Sequence, residues 1–225
     1  MLAQNGLKVV LKRKAKATRD LKRRASRRSS YDKVLIVCEG EKTEPNYFIE
    51  LVNYYKLNSA NVEIDGSCGS SPKSVLRRAE KLAKTEQDKG DGYDRIYCVF
   101  DKDSHETYEE TKTKIALKKP AGLFFHIVSI PCFEYWLLLH FQYTTKPFSA
   151  SGNSSISNEV LKELKRVMPE YSKGDEKVFC ALLQQLEFAK QNALRATIEV
   201  ENNFTDNPST HIHELVDYLQ NLQNG

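Results

Sequence analysis

The clearest strand signal in the chain is the run Val34-Leu35-Ile36-Val37-Cys38, which is followed at once by Glu39-Gly40. Five consecutive apolar residues, rich in β-branched side chains, are typical of a strand buried on both faces of a parallel sheet. The pattern returns in Ile96-Tyr97-Cys98-Val99-Phe100, which is followed by Asp101-Lys102-Asp103. The sequence thus predicts two buried strands, each with acidic residues at its carboxyl end.

Helical and strand patterns alternate around these two runs. The helical patterns cover residues 43–55, 71–83, 106–117 and 134–141, and two further strand patterns cover residues 61–64 and 123–130. The order β-α-β-α-β-α-β-α predicts an α/β fold with a mostly parallel four-stranded sheet, flanked by helices and joined by right-handed crossovers. Thr43 is expected to cap the first helix, and Ser71-Pro72 is expected to start the second.

The character of the chain changes after about residue 145. Residues 149–157 are rich in Ser, Gly and Asn, and only helical patterns follow from Asn158 onwards. We therefore expect three regions, namely a basic N-terminal arm (1–30), an α/β core (31–145) and a helical C-terminal extension packed on the core (146–225).

The composition indicates a cytoplasmic protein without a membrane segment. No apolar run of the 225 residues approaches the roughly 20 residues needed to span a bilayer, and the N-terminus lacks the apolar region of a secretory signal. The five cysteines are odd in number and form no C-x-x-C pair. A zinc site and a disulfide framework are therefore not expected, and reduced thiols fit a cytoplasmic location.

The charge of the chain is strongly asymmetric. Residues 1–30 hold eleven Lys and Arg against one acid, a net charge of +10, whereas the remaining 195 residues carry a net charge of −6. A basic arm on an acidic body favours a nucleic-acid tether, because Lys and Arg bind phosphates without regard to sequence. A solvated tail is the alternative. The candidate nucleic-acid contacts are Lys12, Arg13, Lys22, Arg23, Arg24, Arg27, Arg28 and Lys42.

Acidic residues at the ends of two strands predict a metal site. The i, i+2 spacing of Asp101 and Asp103 points both to one side of an extended segment, and Glu39 joins them if the two strands are neighbours. Three converging carboxylates repel one another unless a cation neutralises them, and carboxylate oxygens suit Mg²⁺ or Mn²⁺. Each motif alone is weak, since such an Asp is often a turn or capping residue and Gly40 could simply permit a positive φ.

Two other residues near this edge have two readings each, and a nearby loop is a further candidate. Glu134 begins a helix after the last predicted strand, so it is either a further metal ligand or an acid favoured by the helix N-terminus. Lys42 either contacts a phosphate or is a solvated turn residue. The loop 66–71 offers backbone N–H groups to a phosphate, but it lacks the lysine of a P-loop.

The longer motifs resemble those of one known family, the RloB-like branch of Toprim proteins. The glutamate after the first strand and the D-x-D after the third are similar to the Toprim signature. The resemblance spans roughly residues 31–222, with one departure at Ile130-Pro131, where the family pattern has Asn-Pro. It is carried by residues 38–48 (CEGEKTEPNYF), 99–103 (VFDKD), 131–141 (PCFEYWLLLHF) and 207–210 (NPST).

The resemblance implies a Toprim-like nuclease fold in which Glu39, Asp101 and Asp103 are the catalytic acids and Glu134 is a further motif acid. It also implies a role in anti-phage defence beside a partner ATPase. The resulting hypothesis is a Mg²⁺- or Mn²⁺-dependent nuclease of DNA or RNA, possible substrates including tRNA. A non-catalytic Toprim-fold binding subunit is the alternative, and a homodimer is left open.

Overall fold

The computed structural model describes residues 31–102 and 106–223, so the basic arm, Asp103 and the nucleic-acid contacts expected in the arm lie outside the described residues. The strands are β1 (Val34–Cys38), β2 (Val62–Asp65), β3 (Arg95–Asp101), β4 (Phe124–Ile130) and β5 (Ser209–Thr210). The helices are α1 (Thr43–Tyr54), α2 (Pro72–Asp88), α3 (Tyr108–Ala116), α4 (Glu134–Leu138), α5 (Ile156–Val167), α6 (Val178–Leu182), α7 (Leu186–Asn202) and α8 (Ile212–Asn221).

The strands form one sheet in the order β2-β1-β3-β4-β5. The first four strands are parallel, and β5 pairs antiparallel with β4. The predicted α/β fold with a mostly parallel sheet is confirmed, but the predicted number of four strands is wrong. Because β5 contains only Ser209 and Thr210, it has neither the length nor the apolar pattern by which a strand is predicted from sequence.

The two strands with the strongest sequence signals lie side by side. Val34 pairs with Arg95 and Cys38 with Val99, so β1 and β3 run in register toward the same edge of the sheet. All five residues of β1 are inaccessible to solvent, as expected for a strand covered on both faces. The carboxyl ends of β1 and β3 therefore meet at one edge.

Helices cover the two faces of the sheet unequally. The smaller apolar core packs α2 and α3 against one face, through residues such as Val75, Ile115 and Phe100. The larger core, with Trp136 completely buried, joins the other face to α1 and to the helices after residue 133. The helices that follow residue 155 thus share a hydrophobic core with the strands.

The starts of the first two helices follow different physical rules. The hydroxyl of Ser71 accepts a hydrogen bond from the Ser74 N–H at 3.2 Å and so caps α2, whose first residue is Pro72. Thr43 does not cap α1, because it is the first helical residue and no side chain caps the position of Lys42 before it.

In the part of the chain that the structure describes, no helix combines the length and the apolarity needed to cross a bilayer. The cysteines at 38, 68, 98, 132 and 180 are all free thiols.

We expect the short strand β5 to depend on the buried hydroxyl of Thr210, which accepts a hydrogen bond from the Ile212 N–H at 3.3 Å. The Ser129 and Thr210 hydroxyls are 2.9 Å apart, and both residues are at most 1% exposed. Thr210→Val should lower the free energy of unfolding by about 1–3 kcal/mol, because a buried hydroxyl then lacks its partner. The double variant Ser129→Ala/Thr210→Val also removes the hydroxyl that has lost its partner. Urea denaturation should therefore show a smaller loss of unfolding free energy for the double variant than for Thr210→Val. If the double variant is less stable than Thr210→Val, the hydrogen bond between Ser129 and Thr210 is not the cause.

Candidate functional site at the carboxyl edge of the sheet

Glu39 and Asp101 lie side by side where β1 and β3 end. The Glu39 N–H donates to the Val99 carbonyl at 3.0 Å, which extends the ladder by one residue. The Asp101 N–H in turn donates to Glu39 Oε2 at 3.1 Å. Two of the acids singled out in the sequence are therefore brought together by hydrogen bonds that backbone N–H groups donate.

Glu134 approaches the same edge from β4. It is the first residue of α4 and is 2% exposed. Its Oε1 atom pairs with Lys173 Nζ at 2.8 Å and accepts a longer hydrogen bond of 3.4 Å from the Tyr171 hydroxyl. Cys132 also directs its thiol at this carboxylate. Glu134 is thus a buried carboxylate held by donors of the protein itself.

Glu44 is a fourth acid of this site, and sequence reasoning did not single it out. It lies in the first turn of α1 and is 6% exposed, and it faces the turn that follows β1. Burial raises its pKa from 4.5 to about 7; the negative charges of Glu134 and Glu39 reinforce the rise, while its own backbone N–H and Lys173 oppose it. The signal that could have found it is the spacing of Gly40 and Glu44.

Position 40 has no room for a side chain because the Glu44 carboxylate occupies the space where a Cβ would lie. A Cβ built on Gly40 would overlap the Glu44 carboxylate, and the backbone of Gly40 does not have a positive φ. The interpretation that glycine permits a left-handed turn here is therefore wrong. Gly66 has a similar role, since a Cβ there would lie 2.6 Å from Pro45 Cγ and 2.8 Å from the Gly40 carbonyl oxygen.

The negative charges of the three neighbouring acids act on Asp101. Its pKa is raised well above its usual range, first by burial and then by the charges of Glu44, Glu134 and Glu39, while a hydrogen bond from the Phe133 backbone opposes the rise. Lys173 brings a positive charge that opposes these acids. The raised pKa values of Glu44 and Asp101 show that the negative charge is not fully offset there, which favours proton or cation binding.

The chemistry of these donors suits a hard divalent cation, because all four are carboxylates and two have raised pKa values. Within residues 31–102 and 106–223, however, no three His, Cys, Asp or Glu side chains are arranged so that they could share a metal ion. Asp103 falls in the gap between these ranges. A site formed by Glu39, Asp101 and Asp103, with or without Glu134, therefore stays a prediction.

Two segments frame the acidic edge. The loop 66–71 contacts it through Cys68, whose thiol donates to the Cys38 carbonyl at 2.9 Å. On the other side, the Gly174 carbonyl accepts a hydrogen bond from Asn46 at 2.8 Å, and the exposed side chain of Lys42 packs beside Gly174. Lys42 thus lies at the rim of the site, where its proposed phosphate contact stays a prediction.

The fold and the site together define a class: an α/β protein with carboxylates gathered at the carboxyl edge of a mostly parallel sheet, which is where such sheets place functional groups. The family model described as RloB-like protein matches residues 34–219, so the chain belongs to the RloB-like family. The family predicted from the sequence motifs is thereby confirmed. No curated protein and no solved structure matches the chain.

We expect the contribution of Glu44 to the stability of the metal-free protein to fall as pH rises. Glu44 binds a proton more tightly in the folded state, so its contribution favours folding at low pH and is lost between about pH 4.5 and pH 7. The loss attributable to Glu44 is at most about 3 kcal/mol. Urea denaturation in EDTA should show that Glu44→Gln gains stability relative to the wild type between pH 5 and pH 8, because the variant lacks the carboxyl that loses its proton there. Glu201→Gln, an exposed acid of α7, is the control and should behave as the wild type. An unchanged pH dependence in Glu44→Gln would contradict this assignment.

We expect Gly40 and Glu44 to be energetically coupled. Gly40→Ala should cost about 1–3 kcal/mol, because the new methyl group displaces a buried carboxylate. The same change should cost less in a Glu44→Ala background, where the space is free. Four unfolding free energies measure the coupling. Gly92→Ala is the control, since a methyl group there lies 3.9 Å from its nearest neighbours. Equal costs in both backgrounds would show that Glu44 is not what excludes a side chain at 40.

Proposed function

We propose that this protein is a metal-dependent nuclease that cleaves phosphodiester bonds in DNA or RNA. The observation that carries the proposal is the hydrogen-bonded placement of Glu39 beside Asp101 at the ends of adjacent parallel strands. Glu44 and Glu134 add two buried acids to the same edge. A concentration of carboxylates in a place that suits a ligand, with raised pKa values at Glu44 and Asp101, is typical of a functional site.

Glu39, Asp101 and Asp103 are the residues that would hold Mg²⁺ or Mn²⁺. Such an ion, when bound, lowers the pKa of a coordinated water and stabilises charge on the scissile phosphate. The backbone hydrogen bond from Asp101 to Glu39 orients one carboxylate before any ligand arrives. The contacts of Lys173 and Tyr171 hold Glu134 against the same edge.

The cellular setting belongs to the same proposal. Membership of the RloB-like family, together with the resemblance to Toprim proteins of defence loci, supports a cytoplasmic nuclease that acts in anti-phage defence with a partner ATPase. A Toprim-like identity of the α/β core and binding of nucleic acid by the basic arm complete the proposed picture. Substrates of either sugar type, tRNA included, are compatible with a site that acts on phosphates.

We expect purified protein to cleave nucleic acid with Mn²⁺ or Mg²⁺ and to lose this activity in EDTA. Glu39→Gln and Asp101→Asn should each lower the cleavage rate at least about a hundredfold, because each removes a charged group from the reacting centre. Gel assays on labelled DNA, RNA and tRNA measure the rate. Mn²⁺ titration followed by electron paramagnetic resonance measures metal binding independently of any substrate, and both variants should bind Mn²⁺ more weakly than the wild type.

Asp88→Asn is the matched control for Asp101→Asn. Asp88 is exposed and ends α2, which begins at the carboxyl edge of the sheet and therefore finishes at the opposite edge. This variant should cleave and bind Mn²⁺ as the wild type does. Full cleavage by folded Asp101→Asn protein would refute the nuclease proposal and indicate a contaminant.

A non-catalytic binding subunit is the second candidate function. It is favoured by Glu134, whose carboxylate already has Lys173 and Tyr171 as partners and needs no further ion. In this case the acidic edge would be a docking surface for the partner ATPase. Cells that carry Asp101→Asn/Asp103→Asn would then keep full protection against phage, whereas a nuclease would lose it.

A further inference from the structure

A groove between α2 and α3 concentrates positive charge on the face of the sheet away from the C-terminal helices. The groove encloses about 630 Å³. Its lining includes one acid, Glu80, and five basic side chains, which are Lys73, Arg77, Lys114, Lys118 and Lys119. Residues 31–225 carry a net charge of −6, so this groove departs from the charge of the body around it.

Ion pairs within the protein neutralise only part of this charge. Lys118 pairs with Glu80, and Lys114 pairs with Glu110. Lys73, Arg77 and Lys119 are exposed and form no salt bridge with any residue that the structure describes. The groove therefore presents free cations to solvent, which is the charge that a polyanion would complement.

The cations are arranged in a way that suits a repeating anion. Lys73 and Arg77 are four residues apart on α2, and Lys114 and Lys118 are four residues apart along α3 and its C-terminal turn. Four helical residues rise about 6 Å along the axis, so each wall places two cations at a regular spacing. That spacing is comparable to the distance between neighbouring phosphates of one nucleic-acid strand.

One end of the groove opens beside the acidic edge. Lys73 is the second residue of α2, which follows the loop 66–71, and Cys68 of that loop contacts Cys38 next to Glu39. The other wall, α3, begins seven residues after Asp101. The cations extend from there toward Lys118 and Lys119, which follow the end of α3 at the opposite edge of the sheet.

We propose that the α2–α3 groove binds the sugar–phosphate backbone of the nucleic acid and leads it to the acidic edge. The inference rests on the proposed function, since the bound strand is the substrate of that site. It assigns the contacts to the folded body rather than to the basic arm alone. The ligand is recognised by its phosphates, so DNA and RNA both fit, and the affinity depends strongly on salt.

Fluorescence anisotropy in EDTA tests binding without cleavage, with a labelled DNA duplex, the matching single strand and an RNA hairpin as probes. The full chain carrying Lys73→Gln, Arg77→Gln and Lys114→Gln should bind at least about tenfold more weakly near 0.15 M salt. The slope of log affinity against log salt should fall by about 2 to 3 for the duplex, because three phosphate contacts are lost.

The matched control removes the same charges from the other face of the sheet. Lys162→Gln, Lys165→Gln and Arg166→Gln change two lysines and one arginine on the exposed side of α5 and should leave affinity and salt slope unchanged. Protection of Lys73 and Lys114 from acetylation by bound nucleic acid, read by mass spectrometry, gives a second readout that needs no variant.

The outcomes separate this proposal from the nuclease proposal. Wild-type affinity and salt slope in the groove variant would overturn the groove proposal. Equally tight binding of polyglutamate at the same residues would also overturn it, because it would indicate an acidic protein partner. Weakened binding in the groove variant of a protein that never cleaves would support the groove and refute the nuclease. If Asp101→Asn loses cleavage while the groove variant still cleaves and binds as the wild type does, the nuclease proposal is supported and the groove proposal is refuted.

Discussion

The parallel pairing of β1 with β3 is the constraint on which the candidate site depends. Because the two strands run in register and end at the same edge, the backbone itself fixes Glu39 beside Asp101. The hydrogen-bonded ladder and the complete burial of β1 stabilise this placement, although two carboxylates at close quarters repel each other. The acids are thus held together by the packing of the fold rather than by attraction for one another.

The cost of this arrangement is electrostatic, and the surroundings offset only part of it. Glu134 has Lys173 and Tyr171 as partners, whereas Asp101 and Glu44 respond to the shared negative charge with raised pKa values. Buried acids without full compensation lower stability, so their presence at one edge is easier to understand as a functional requirement than as a structural one. The same edge is where open parallel sheets place ligands.

The proposed nuclease site is acidic, so its proposed substrate, a polyanion, requires basic residues elsewhere on the molecule. The chain supplies them in two places, which are the arm of residues 1–30 with its net charge of +10 and the groove between α2 and α3. Both helices that form the groove begin close to the acidic edge, because each follows a strand that ends there. Basic residues away from the site can therefore attract a polyanion even though the site itself consists of carboxylates.

The sequence by itself determined the strands β1 and β3, the parallel α/β fold and the RloB-like family, since a continuous apolar run and an acid after it are local signals. Only the tertiary structure decided that Glu44 joins the acids, that β5 completes the sheet, and that cations of α2 and α3 line one groove. These features depend on residues far apart in the chain that approach one another on folding. Periodicity in a sequence describes which face of an element is buried, but it does not say which other element that face will meet.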